Sequence, residues 1–297
     1  MPLLLTLAAL VLGLGLPQAA FAEETAFVPF IYAAEGVAKI LVYDRGGKVS
    51  WEYPAPMSRD VWRLPSGNTL FCYNQNYKAR ENDNTSGVME VTPDKRVVFE
   101  FKTTGQVFSC QRLANGDTLV GAASQGKLIV VDKAGVVVKE IKVRNVPGHS
   151  CMRYARALAN GNFLVAEESA RAVREYDGTG ALVREMVMDY PPFAAVRLAN
   201  GNTVISGRTA VTEVDAANKT VWRLDAGEVP QLGVRWFAGV QVLPDGNLFV
   251  CNAGGKVPFF EIRRDKRVVW QCDGSTAYPL GHGVQRLDVG DLAHANR

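Results

Sequence analysis

Leu158-Ala159-Asn160-Gly161-Asn162 returns unchanged as Leu198-Ala199-Asn200-Gly201-Asn202, and with one substitution as Leu113-Ala114-Asn115-Gly116-Asp117. Two further copies read Leu64-Pro65-Ser66-Gly67-Asn68 and Leu243-Pro244-Asp245-Gly246-Asn247, and a degenerate sixth reads Leu287-Asp288-Val289-Gly290-Asp291. Successive glycines lie 49, 45, 40, 45 and 44 residues apart. That period fits one four-stranded propeller blade per repeat. Glycine takes the positive φ of a tight hairpin at little cost. Short β-rich runs such as Val61-Trp62-Arg63 and Thr69-Leu70-Phe71 flank each copy. Each copy therefore predicts a hairpin between two strands, A and B.

A second unit falls between the first. Its copies start at Tyr43, Val91, Val131, Tyr176, Val214 and Ile262, and the eighth residue on is Trp51, Phe99, Lys139, Arg184, Trp222 or Trp270. This predicts a C–D hairpin whose D strand carries an aromatic side chain packed between blades. The stems of Lys139 and Arg184 cover the same surface where the ring is absent. The phase of the two units sets the closure. The chain enters on B, C and D of one blade and leaves on A of the same blade. Pairing the two ends removes free sheet edges. The expectation is an all-β, six-bladed propeller, four antiparallel strands per blade, filling residues 23–297 as one domain.

Residues 1–22 differ from the rest. They hold no charged side chain and end Ala20-Phe21-Ala22 before Glu23-Glu24. This reads as a secretory signal peptide, so the expected location is periplasmic or extracellular, with no transmembrane span after cleavage. A formal charge of +3 with no Lys/Arg block gives no nucleic-acid footprint. Five cysteines, Cys72, Cys110, Cys151, Cys251 and Cys272, show no metal or haem spacing. Cys72 and Cys251 fall at the small last position of strand B, with Ala33, Gly121, Ala166 and Ser206, and read as buried fillers. Gly121 to Lys127 matches most of a phosphate-binding loop, but Leu128 replaces its Ser/Thr and the stretch lies in a predicted hairpin.

The consensus Asp-x-x-Gly-x-Val-x-Trp-Glu with Leu-x-Asn-Gly-Asn-Thr-Leu resembles two propeller groups over essentially the whole mature chain. These are the PQQ-repeat (quinoprotein-like) group and the arylsulfotransferase-like group. The resemblance implies fold rather than function, because the motifs are hairpin and blade-packing chemistry. PQQ dehydrogenases of the first group have eight blades and adjacent cysteines; this chain predicts six and has no such pair, so PQQ is not expected. The second group uses several active-site histidines and an arginine, a set this chain with three histidines matches only in part.

A propeller's ligands usually sit at the axial mouth formed by the D–A and B–C loops. His149 and His282 precede A strands there and are the candidate catalytic residues, as nucleophile or general base. Arg59, Arg153, Arg208 and Arg235 are candidates for holding a sulfate, phosphate or carboxylate group. Asp60, Asn74, Glu168, Trp236 and Asn252 complete the candidate ligand-binding set. With Glu167, their oxygens offer an alternative, the axial calcium of six-bladed lactonase-like propellers, against which the nearby arginines argue. No cofactor is otherwise expected. The polar loop from Tyr73 to Ser86 is a candidate lid. The leading expectation is a binding propeller for a small anionic ligand or a protein partner. A sulfotransferase- or hydrolase-like enzyme using a mouth histidine is the alternative, and an envelope-assembly scaffold the second.

Overall fold

The computed structural model describes residues 26–75, 85–272 and 278–289. The signal-peptide reading, the middle of the lid loop and the Gly290 copy of the repeat lie outside the described residues. The sequence period becomes six sheets of four antiparallel strands, each in the order A-B-C-D from axis to rim. The A strands are Val61–Arg63, Val107–Arg112, Ala155–Ala157, Pro192–Arg197 and Phe237–Val242 in blades 2 to 6, and Val284–Arg286 in blade 1. Among the described residues the helical elements are four short 3-10 turns, and no described helix is long and apolar enough to cross a membrane.

The ends close the ring as their phase requires. Val284–Arg286 pairs with the first strand, Phe30–Ala34, in the register Phe30↔Arg286 and Tyr32↔Val284. An aromatic seam reinforces this join between blades 6 and 1. Phe30 lies 4.7 Å from Phe259, and Phe27 meets Trp270 edge-on at 5.5 Å. Elsewhere apolar clusters also span neighbouring blades. One joins Leu70, Cys72 and Val88 of blade 2 to Cys110, Val120 and Ile129 of blade 3. All five cysteines are buried, and none forms a disulfide among the described residues. The B strands run one or two residues past the expected end, so Asn74, Glu167 and Asn252 belong to them.

Both hairpins of a blade turn on one face, here the hairpin face. Every C–D pair has a register shift at the end of C, for example between Val42 and Tyr43 and between Glu213 and Val214. In blades 1, 3, 4 and 5 the turn that follows is held by an aspartate: Asp44 Oδ1, for example, accepts from the Gly46 and Lys48 N–H groups at 2.8 and 3.0 Å. The D-strand position marked by Trp51 does more than fill space. Trp51 Nε1 donates to Pro93 O at 2.9 Å, and Trp222 Nε1 to Arg264 O at 2.7 Å, each on the C–D turn of the next blade. Lys139 and Arg184, in place of tryptophan, donate to Gly178 O and Asp215 O at the equivalent turns. The substitution keeps the hydrogen bond as well as the covered surface.

The Asn of the Gly-Asn hairpin has a similar role. Asn162 Nδ2 donates to Glu175 at 2.7 Å, and Arg197 of the next blade binds the other oxygen at 2.8 Å. Asn68–Glu90–Arg112 and Asn247–Glu261–Arg286 repeat this latch. In blade 5, Asn202 and Glu213 use Arg264 instead. The repeat is thus spent on the hairpin face, leaving the opposite, loop face free to vary.

Candidate functional site

Eight residues before each repeat glycine stand Arg59, Phe108, Arg153, Phe193, Ala238 and His282. In blades 3, 5 and 6 this position falls in a register break of strand A, between Val107 and Ser109, Pro192 and Ala194, or Phe237 and Val240. In blades 2, 4 and 1 it lies two residues before the strand starts. A break in the ladder frees the residue from strand alternation and re-aims its side chain. The outcome is a ring of contacts at the axial mouth. Arg59 sits 4.7 Å and Arg153 5.2 Å from the Phe108 ring centroid. With only a methyl at Ala238, Phe193 of blade 5 and His282 of blade 1 stack face to face, 5.5 Å apart and 9° from parallel.

The mouth has a floor. Arg156 of blade 4 binds Asp60 of blade 2 through two hydrogen bonds, at 2.8 and 3.1 Å, and its guanidinium lies 4.3 Å from the Tyr154 ring centroid. Tyr154 OH donates to Arg59 O at 2.6 Å. A Cβ on Gly283 would come within 2.7 Å of both that carbonyl and the Tyr154 hydroxyl, so only glycine fits beside them. Asp60, fully buried, also accepts from Cys110 N at 3.0 Å. It lies beneath the mouth as the anchor of the floor.

Both candidate histidines belong to this cluster, with different partners. His149 Nδ1 is 3.0 Å from Gln106 Oε1, and its Nε2 is 3.5 Å from Arg153 Nη1. Arginine only donates, so Nε2 accepts, and Nδ1–H serves the glutamine. Burial first, then the charges of Arg153 and Arg59, lower the His149 pKa to about 4. His149 is therefore neutral near pH 7 and tied by both nitrogens.

His282 is 6% exposed, with Nδ1 3.0 Å from Glu35 Oε2 in a contact bent from ideal hydrogen-bond alignment. Glu35 Oε1 accepts from Arg59 Nη2 at 3.2 Å. Burial, followed by the Arg59 and Arg153 charges, outweighs the Glu35 contact and lowers the His282 pKa. Burial raises that of Glu35, but His282 and the two arginines outweigh it and the net shift is downward. The pair thus holds an ionised carboxylate beside a neutral imidazole. With Nδ1–H facing the carboxylate, Nε2 is the acceptor nitrogen, and it has no hydrogen-bond partner among the described residues.

The remaining candidates fall in two groups. Arg153 joins the cluster through an ion pair with Glu168. Trp236 meets Phe193 edge-on at 5.6 Å, and the guanidiniums of Arg153 and Arg208 lie 5.5 and 5.3 Å from its ring centroid. Asn74 and Asn252 instead pin loop backbone. Asn74 bonds both N–H and C=O of Val107, at 2.7 and 2.8 Å. Asn252 accepts from Arg235 N and donates to Leu232 O and Val257 O. Asp60, Asn74, Glu168 and Asn252, with Glu167 bound to Arg174 and Tyr176, spend their oxygens on protein donors, and no group of three His, Cys, Asp or Glu residues suited to a metal occurs among the described residues.

Glu35, Phe108 and Phe193, which the sequence places on loops of the mouth, and Gln106, which it does not, complete the site beyond the candidate catalytic and ligand-binding residues. Counting back from each repeat glycine is the signal that finds Phe108 and Phe193; Gln106 leaves no trace in the sequence. A separate cavity of about 230 Å3 lies between blades 4 and 5, lined by Met186, Met188, Thr212 and Arg223. Its arginine is already paired with Asp189 and Asp225.

No protein-family model matches the sequence, and none of the curated proteins matches it. Solved structures do. A protein of unknown function from Bacteroides caccae is 21% identical, with a TM-score of 0.75 over 87% of this chain and 98% of its own. A streptogramin B lyase aligns at 13% identity and TM-score 0.62, over 86% of this chain and 83% of its own. A catalytically inactive histidine-to-alanine form of virginiamycin B lyase from Staphylococcus aureus, with quinupristin, aligns at 11% identity and TM-score 0.61 over 88% and 89%. The latter two are lyases, and none of the three is specifically a PQQ-repeat or arylsulfotransferase protein. What the chain shares with them, at these identities, is the six-bladed fold.

Proposed function

We propose that the protein is an exported propeller enzyme that acts on a small anionic molecule at the loop-face mouth, with His282 as general base. The observation that carries this reading is the Glu35–His282 pair, a neutral buried imidazole backed by an ionised carboxylate. Its Nε2 would take a proton from water or from the substrate, and Glu35 would orient the ring and stabilise the imidazolium that forms. Such contacts often straighten only when substrate is bound. Arg59, on the other carboxylate oxygen of Glu35, keeps that carboxylate ionised and fixed in place behind the imidazole. The chemistry available is hydrolysis or elimination. Lyases on the same frame, one of them inactive without a histidine, support a histidine-dependent reaction by analogy of fold alone.

The test is a panel of sulfate esters, carboxylic esters and elimination substrates, run on the chain and on His282→Asn and Glu35→Gln. General-base loss should lower turnover by about 10²–10⁴-fold in His282→Asn. Turnover that both variants retain would sink the proposal. A second reading, a binding propeller without turnover, is favoured by the way Gln106, Arg153 and Glu168 tie His149 into a closed arm. Ligand binding with no turnover of the panel would select it. Export rests on residues 1–22 and predicts a mature chain starting at Glu23, read by N-terminal sequencing.

A further inference from the structure

The cations of the mouth differ in how they are neutralised. Arg59, Arg153 and Arg156 are each paired with a carboxylate, on Glu35, Glu168 and Asp60, and each is at most 5% exposed. Two glutamates balance the two arginines of the ring, so the inner cluster has no net charge to offer an anion. Three other basic residues stand on the rim over blades 5 and 6: Arg208, Arg235 and Lys256. All three are exposed, and none is ion-paired among the described residues.

They share one sector. The Arg208 guanidinium lies over Trp236, and Arg235 is next to Trp236 in the chain. A Cβ on Gly254 would sit 3.3 Å from Arg235 Cδ. Lys256 N donates to Gly233 O at 3.1 Å, which fixes its loop beside the loop that carries Arg235. Two observations connect this sector to the chemistry. Arg235 and Trp236 lead into the strand that carries Ala238, the one blade position that sends no large side chain into the ring, and Trp236 meets Phe193, which stacks on His282. Trp236, which bridges rim and ring, also has its indole N–H buried without an acceptor. An orphaned buried donor costs free energy that an acceptor would recover.

We propose that Arg208, Arg235 and Lys256 form an oxyanion-recognition sector, which binds a carboxylate or sulfate group of the substrate and directs the rest of the molecule toward His282. The recognition step stands on the rim charges and Trp236; only its orientation toward His282 rests on the function proposed above. An exposed cluster of like charge with no ion-paired counter-charge among the described residues raises the local concentration of an oppositely charged ligand. The paired arginines beneath cannot do this without giving up their glutamates.

The test uses benzoate and inorganic sulfate as probes and benzyl alcohol as the uncharged control, followed by calorimetry and ligand-observed NMR at low salt. Substituting Arg208→Gln, Arg235→Gln and Lys256→Gln together should weaken the better of the two anions by about tenfold or more, as should raising the salt. The same anion should bind His282→Asn as it binds the parent, whatever that variant does to turnover. A failed base thus leaves this proposal standing, and a failed sector leaves the base standing. Since all three side chains are exposed, the triple variant should keep its circular dichroism spectrum. Equal affinity in the triple variant, equal binding of benzyl alcohol, or no binding of either anion at millimolar concentration would each overturn the sector. Preference between benzoate and sulfate identifies the oxyanion type.

Discussion

The two faces of the propeller are built on opposite plans. On the hairpin face one solution is repeated: an Asn–Glu–Arg latch in blades 2, 4 and 6, a close variant in blade 5, and a D-strand donor reaching the next turn. On the loop face equivalent positions diverge into arginine, phenylalanine, alanine and histidine, and their contacts differ from blade to blade, from the neighbouring blade at Arg59–Phe108 to past a whole blade at Phe193–His282. Periodicity therefore specifies the ring, and departures from periodicity specify the mouth. Many modest interactions share the load on one face, while a few buried charged groups concentrate it on the other.

Breaking the floor should separate the faces most sharply. Asp60→Ala would leave the Arg156 guanidinium buried without its carboxylate, and such a loss costs about 3–5 kcal/mol. Urea unfolding should show it as a large fall in midpoint with an unchanged slope. A cost near that of a single hairpin-face contact would mean that the mouth carries no special strain.

Acid should act next, and on the loop face. A histidine whose folded pKa is lowered binds its proton more readily when unfolded. Its contribution is complete above the unfolded value near 6.5 and is lost as pH falls toward about 4. The lowered pKa of Glu35 has the same sign, at lower pH. The Tm should thus decline between pH 6.5 and 4, and His149→Gln should flatten that decline. A parallel decline in the variant would place the acid sensitivity elsewhere.

The smallest effect is expected from the repeated face. Asn162→Ala removes one latch hydrogen bond to Glu175 and should cost about 1 kcal/mol, read by the same urea titration. The equivalent Asn202→Ala should cost a similar amount, since it serves Glu213 in the same way. Strongly unequal costs would show that the latches are not interchangeable.

Legibility in the sequence follows the same division. Leu-x-x-Gly-Asn and the eighth-position aromatics announce blade number, strand order and closure, because local turn chemistry and packing produce them wherever they occur. His149, His282 and Arg153 were visible because they sit at loop positions of the repeat. Their distinct roles were not, because Gln106 and Glu35 become partners only through contacts between distant parts of the chain. Asn74 and Asn252 looked like ligands for the opposite reason: their composition suits a site, but backbone groups consume their hydrogen bonds.

The pairing of Phe30 with Arg286 has a consequence for timing. Blades 2 to 6 are each continuous in sequence and can form locally, as soon as their own four strands are available. Blade 1 cannot. Its inner strand comes from the far end of the chain, so a growing or threading polypeptide remains an open arc until its last segment is free. Joining ends so distant in sequence carries the largest loop-closure entropy in the molecule. The strand Val284–Arg286 therefore acts as a clasp, and ring formation reports that all six blades have been made.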